Sequence, residues 1–354
     1  KIFLMSVVII TGSCGLVGSE ASKFFCEKKF DVVGIDNNSR KKFFGNEGDI
    51  NKQKKYLIKT FSNYKHYNID IQSFSDLEKI FKKFKNSISL IIHSAGQPSH
   101  DLASKIPLID FKVNSLSTLY LLDLTKKYCS NAPFIFMSTN KLYGSNPNYL
   151  PLFEQKKRWE IRKTHKLFNG VNENMQIDNT IHSLFGVSKC YADLAVQEYG
   201  KNFGLKTACF RAGCITGPLH AGAQLHGFLS YLVKSCVEKE RYTIIGYKGK
   251  QVRDNLHSRD LIKCFWNFFK KPRVGEVYNI GGGRKSNCSI IEAISIVQNI
   301  IQKKIKIKYK KKNRVGDHIW YISDTLKFRK HYPLWKQEYN TKTIITELIN
   351  SYIK

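Results

Sequence analysis

Short apolar runs and helical periods take turns along most of the chain. Residues 7–11 are a β-branched run, followed by the turn Gly12-Ser13-Cys14-Gly15-Leu16-Val17-Gly18 and a helical stretch to about residue 29. Residues 31–36 read as the next strand, closing in the polar turn Asn37-Asn38-Ser39-Arg40. Helical spacing recurs over 75–84, 116–128 and 183–203, and further strands are expected at 89–94, 134–138 and 207–211. This alternation predicts an α/β fold, a doubly wound parallel sheet of the Rossmann kind with helices on both faces. Residues 149–180 lack a clear period and read as a long surface insertion. Past residue 280 the pattern changes to helices separated by short basic strands and ends in a helix over 341–353, as a smaller C-terminal α/β domain would. The expected division is 1–214 with 243–282 for the dinucleotide part, and 215–242 with 283–354 for the substrate part.

Composition narrows the classes. With 354 residues, 42% hydrophobic and 24% charged, the chain can bury a core without disulfide or metal staples. Its nine cysteines form no CxxC pair and suit the interior of a protein in a reducing compartment, with no metal site. The apolar start over 2–10 runs straight into a glycine turn, so it reads as a buried strand and not a signal-peptide core. Met5 would then be the start, with residues 1–4 outside the fold and the cytoplasm the expected location. No apolar run reaches the roughly 18 residues of a membrane span, so no membrane partner is expected. The net charge of +30 comes from lysines spread along the whole chain with no nucleic-acid-binding motif. It argues against a nucleic-acid partner and for an anionic small substrate.

Chemistry enters at the glycine turn. Gly12 would allow the tight turn, Gly15 the approach of a pyrophosphate, and Gly18 the close packing of helix on strand. Asp36, 18 residues beyond Gly18, stands where a carboxylate accepts from ribose hydroxyls and repels a 2′-phosphate. NAD is therefore the expected cofactor, with Arg40 leaving a small opening for NADP.

The motifs TGSCGLVGS, DNNSR, HSAG (93–96), Asn114 and MSTNKLYG (137–144) resemble an extended short-chain dehydrogenase/reductase of the NAD-dependent epimerase/dehydratase family. STNKLYG is similar to the CDP-paratose 2-epimerase (CDP-tyvelose epimerase) group, and RAGCITGP (211–218), GKQVRDNLHSRD (249–260), YNIGGG (278–283) and RVGDHIWYISD (314–324) agree with it. The resemblance implies transient oxidation of a sugar carbon on a nucleotide sugar, re-reduction from the other face, and a homodimer formed through the lysine-bearing helix. It implies NAD contacts from Gly12, Ser13, Cys14, Gly15, Leu16, Val17, Gly18, Asp36, Asn37, Arg40, Asp70, Ile71, Ser94, Ala95, Gly96, Asn114 and Lys189. Thr139 and Lys189 take the family's catalytic hydroxyl and lysine positions. Thr139, Asn140, Arg253, Arg314, His220 and His226 would meet the substrate, with the two arginines on the diphosphate. Asp254, His257 and Asp260 read as loop-fixing groups.

One departure stands out. The family pair Tyr-x-x-x-Lys reads here Phe185-Gly186-Val187-Ser188-Lys189, and a phenyl ring exchanges no proton. Three explanations remain open. His182, Tyr143 or Lys141 supplies the base, or the reaction is a different one such as a dehydration or a 4-epimerisation, or the chain binds nucleotide sugars without turning them over.

Overall fold

The computed structural model describes residues 6–218, 227–238, 240–311, 313 and 316–353. Its centre is a seven-stranded sheet made of β1 (Val7–Thr11), β2 (Asp31–Ile35), β3 (Tyr64–Tyr67), β4 (Ile88–His93), β5 (Phe134–Thr139), β6 (Thr207–Ala212) and β7 (Glu276–Ile280). The order is β7-β6-β5-β4-β1-β2-β3, and every pairing is parallel. The covering helices are α1 (Leu16–Glu27), α2 (Phe74–Phe84), α3 (Ser117–Tyr128), α4 (Leu184–Phe203) and α5 (Ser258–Lys270). Side chains alternate across a strand, so Val8, Ile10 and Val32 join Phe25 of α1 and Phe265 of α5, whereas Val7, Ile9 and Val33 join Leu77, Leu121 and Val196. Burial on both faces explains the unbroken β-branched runs.

The expected strands and helices appear within a residue or two of their sequence positions. α4 starts one residue after Ser183, which caps it by accepting the Gly186 N–H at 3.1 Å, and stops at Gly204 in the left-handed region at φ +70°. β3 was not expected, because at the sheet edge only Tyr64 of its four residues is buried and no apolar run marks it.

The segment 149–180 lies largely at the surface, as expected, but it is packed and hydrogen-bonded to the rest of the fold. It forms a hairpin, Leu152–Glu154 with Trp159–Ile161, and buries Ile161 and Val171 with Tyr143, Val252, Trp320 and Ile322. Polar bonds join it to the rest. Arg158 reaches Asn287 at 2.6 Å, Glu160 accepts from Arg284 at 2.9 Å, and Glu173 accepts the Asn279 N–H of β7 at 2.7 Å. Hydropathy periods do not register such contacts.

The smaller layer contains two small sheets. Tyr242–Ile245 pairs with Ile307–Lys310, and Val252–His257 pairs with Asn287–Ser289, Trp320–Tyr321 and Cys214–Thr216. Of the stretch 243–282, α5 and β7 thus belong with the large sheet, while the two strands before them lie in the small ones. Among the described residues no helix is long and apolar enough to cross a membrane.

Candidate active site

A cavity of about 480 Å³ runs across the C-terminal ends of β1, β2, β4 and β5 and under the smaller layer. This is where open parallel sheets bind ligands. At one end lies the glycine turn. Gly12 sits at φ +67°, and a Cβ there would meet the Ala95 backbone at 2.8 Å, so the residue after β1 has to be glycine. A Cβ on Gly18 would lie 2.0 Å from the Gly12 carbonyl, so this glycine lets α1 start directly against the turn. A Cβ on Gly15 would come no nearer than 3.4 Å to the Gly12 oxygen, and its backbone borders the cavity at the head of α1.

Asp36 borders the cavity just past β2 and accepts from Asn38 N at 2.9 Å and Cys14 N at 3.1 Å. Burial raises its pKa, and the two backbone N–H groups act in the opposite direction. Asn37, Arg40, Asp70, Ile71, Ser94, Ala95 and Gly96 line the same cavity. Arg40 lies over the Phe44 ring at 4.9 Å. Ser13 is not at the cavity. Its side chain is buried and bonded to Tyr64 OH at 2.9 Å, because the tight turn points it into the protein.

At the other end of the cavity stand Thr139, Asn140, Lys141, Phe185 and Lys189. Thr139 ends β5, with its hydroxyl accepting the Lys141 N–H at 3.2 Å. The Lys189 ammonium is buried, donates to Met137 O at 2.6 Å and lies over the Phe136 ring at 4.1 Å. Burial lowers its pKa from 10.5 to about 8, while Asp193 and Asp110 favour the charged form. Asn114 sits in a one-turn widening of the helix before α3 and donates to Asp110 at 3.0 Å and Gln97 O at 3.1 Å.

Two of the expected proton carriers are elsewhere. Tyr143 is fully buried, donates to Asn279 Oδ1 at 2.7 Å and accepts from Arg211 at 3.1 Å, and burial pushes its hydroxyl up to about 12. His182 has its ring nitrogens against the carbonyls of Leu142 at 2.7 Å and Thr180 at 3.2 Å, so it fixes the loop before α4. Neither lines the cavity. Arg253 does, bound to Asp317 and to its neighbour Val252 O. Arg314, His220 and His226 lie outside the described residues. Asp254 receives the N–H groups of Gly283 and Ser323, and Asp260 those of Glu338 and Tyr339, as loop-fixing groups do. His257 caps α5 by accepting the Arg259 N–H at 3.0 Å.

The sequence reading missed His100, which lines the cavity with its ring 5.1 Å from that of Phe185. It also missed Asp317, the partner of Arg253. The signal for His100 was its place, in the loop Gln97-Pro98-Ser99-His100 just past the C-terminal end of a central parallel strand.

A cleft with a glycine turn beneath one end and a buried lysine and a threonine lining the other suits proteins that do chemistry with a bound dinucleotide. Comparison with known families narrows the class. Residues 8–281 match the NAD dependent epimerase/dehydratase family, and the chain belongs to it. The sequence is 30% identical to CDP-paratose 2-epimerase of Salmonella typhi, over 82% of this chain and 83% of that one. It is 25% identical to a putative UDP-glucose 4-epimerase of Methanocaldococcus jannaschii, over 97% of both. The fold is similar to that of UDP-glucuronic acid 4-epimerase of Bacillus cereus, solved with UDP-glucuronic acid and NAD, at a TM-score of 0.78 and 22% identity over 98% of both chains. The family is NAD-dependent, and the glycine cradle and the carboxylate past β2 fit that cofactor.

Two outcomes follow from this geometry. Asp36→Ala removes the carboxylate that disfavours a 2′-phosphate, so the ratio of NADP to NAD dissociation constants falls towards one in titration calorimetry. Equal constants in the wild type would refute the role given to Asp36. Lys189 has a folded pKa of about 8 against 10.5 for an ordinary lysine, so between these values the unfolded chain binds more protons than the folded one. Stability of the wild type relative to Lys189→Met therefore rises as pH rises through that window, read from denaturation midpoints. A flat difference would show that Lys189 is not desolvated.

Proposed function

We propose that the protein is an NAD-dependent nucleotide-sugar epimerase of the CDP-paratose 2-epimerase type, which inverts a sugar carbon by transient oxidation and re-reduction. The observation that carries this reading is the placement of Thr139 and Lys189 on the same cavity as the glycine turn, in a chain related to that enzyme over most of both lengths. When bound, NAD supplies a hydride acceptor and then a hydride donor. The chain's own residues do the rest. The glycine turn and Asp36 hold the adenosine side, Lys189 offers a buried cation to the nicotinamide ribose, and Thr139 donates to the sugar oxygen whose carbon reacts. Arg253 uses part of its guanidinium on Asp317 and Val252, and its other donors suit a diphosphate.

The absence of a phenol at Phe185 favours a second reading, a nucleotide-sugar-binding protein without turnover. Incubating the holoprotein with CDP-paratose separates them. An epimerase converts it to the 2-epimer, followed by NMR, and NADH absorbance appears transiently. Binding of both ligands with no conversion would establish the second reading in place of the first.

We also propose a homodimer. α4 exposes Leu184, Val187, Tyr191 and Leu194, spaced as one stripe, and Tyr191 touches the exposed Phe111 at 5.8 Å between ring centres. A second copy of this stripe is a fitting partner. The wild type is expected to sediment as a dimer and Val187→Glu/Leu194→Glu as a monomer, and a monomeric wild type would refute the assignment.

A further inference from the structure

We propose that His100 is the general acid–base of this site, carrying the proton that Phe185 cannot. The inference rests on the epimerase reading and deepens it. Among the described residues that line the cavity, His100 is the one histidine, and it shares that lining with Thr139, Lys141, Phe185 and Lys189. Its ring lies against the Phe185 ring, centre to centre 5.1 Å with the planes at 54°, so a proton-exchanging group borders the position where a phenol is missing.

The ring is also held in place. His100 Nδ1 lies 3.0 Å from Ser183 Oγ, and Ser183 is the cap of α4, the helix that carries Phe185 and Lys189. His100 is thereby registered to the same helix as the lysine, although it comes from the loop after β4. That loop is fixed from behind. Gln97 donates to Asp110 at 2.7 Å, and Ser99 caps the short turn that His100 begins by accepting the Leu102 N–H at 3.2 Å. In the tautomer that donates Nδ1–H to Ser183, Nε2 is the nitrogen that exchanges a proton.

Of the other titratable side chains at this end, Asp317 is held by Arg253 at 2.5 Å, and the two lysines are committed as donors. Lys141 donates to Gly316 O at 3.0 Å and lies 3.6 Å from Asp317, and Lys189 donates to Met137 O at 2.6 Å. An ammonium held by a carboxylate or a carbonyl accepts no proton, whereas a neutral imidazole does. In the oxidation, the sugar O–H bond breaks and its proton passes to Nε2 of His100. The O–H electron pair becomes the second C–O bond, and the hydrogen on that carbon would leave as hydride, which NAD held at the glycine turn would accept. In the reduction, hydride returns to the other face of the carbonyl carbon, and His100 gives its proton back to the oxygen.

The test uses holoprotein, CDP-paratose and the variants His100→Gln and His100→Ala. Both variants are expected to bind NAD and CDP with affinities close to the wild type's, and to lose about 10²–10⁴-fold in single-turnover rate. Added imidazole should restore part of the rate of His100→Ala, and Phe185→Tyr should restore part of that of His100→Gln. A readout independent of turnover is the ¹⁵N-histidine NMR spectrum, in which the His100 Nε2 signal should shift on adding CDP-paratose but not on adding CDP. A loss below about tenfold in an active protein, or an Nε2 signal that ignores the sugar, overturns the role of His100 and leaves the epimerase reading intact. A wild type that binds both ligands and never converts CDP-paratose overturns both.

Discussion

The site hangs on one buried ion pair. Arg211, at the end of β6, sends two guanidinium nitrogens to the Asp193 carboxylate at 2.7 and 3.2 Å, and both side chains are almost fully buried. Asp193 also accepts from Ser138 of β5, and Arg211 donates to Tyr143, whose hydroxyl bonds Asn279 of β7. The C-terminal ends of three strands and the middle of α4 therefore meet in one satisfied polar network. Such a pair contributes little net stability compared with apolar packing, but removing one partner strands a buried charge at a cost of about 3–5 kcal/mol. Its value is positional. Lys189 stands one turn before Asp193, so the network that fixes the aspartate also decides where the ammonium enters the cavity.

This arrangement also explains why Tyr143, a residue with the right chemistry in a suggestive motif, takes no part at the cavity. Its hydroxyl already donates once and accepts once, and its ring lies under the Arg211 guanidinium. The motif that contains it splits its work, with Thr139, Asn140 and Lys141 facing the cavity and Leu142 and Tyr143 facing the interior.

The large sheet and the glycine turn were legible because their causes are local. Strands buried on both faces need continuous β-branched runs, and a backbone at φ +67° against a neighbouring strand needs Gly12. Asp36 was legible by its spacing from the glycine turn, and Lys189 through the resemblance of Phe185–Lys189 to the family's Tyr-x-x-x-Lys pair. What stayed hidden depends on contacts between distant parts. β3 is recruited by the edge of the sheet and not by its own apolar residues. His182 and His100 are both histidines near α4, and only folding shows that carbonyls hold one while the other borders Phe185. Ser13, inside the glycine motif, points into the interior, where Tyr64 of the edge strand takes its hydroxyl.

The segment 149–180 bears on how the protein comes apart. It is hydrogen-bonded to β7 through Glu173, to the strand Trp320–Tyr321 layer through Val171 and Ile322, and to the helix Ile290–Ile301 through Arg158 and Glu292. Neither layer can lose its structure without exposing Ile161 and Val171 and leaving these donors and acceptors unpaired in the other. The free energies of the two layers are thus coupled, and heating should give a single cooperative transition, with no stable state in which one layer is molten and the other intact.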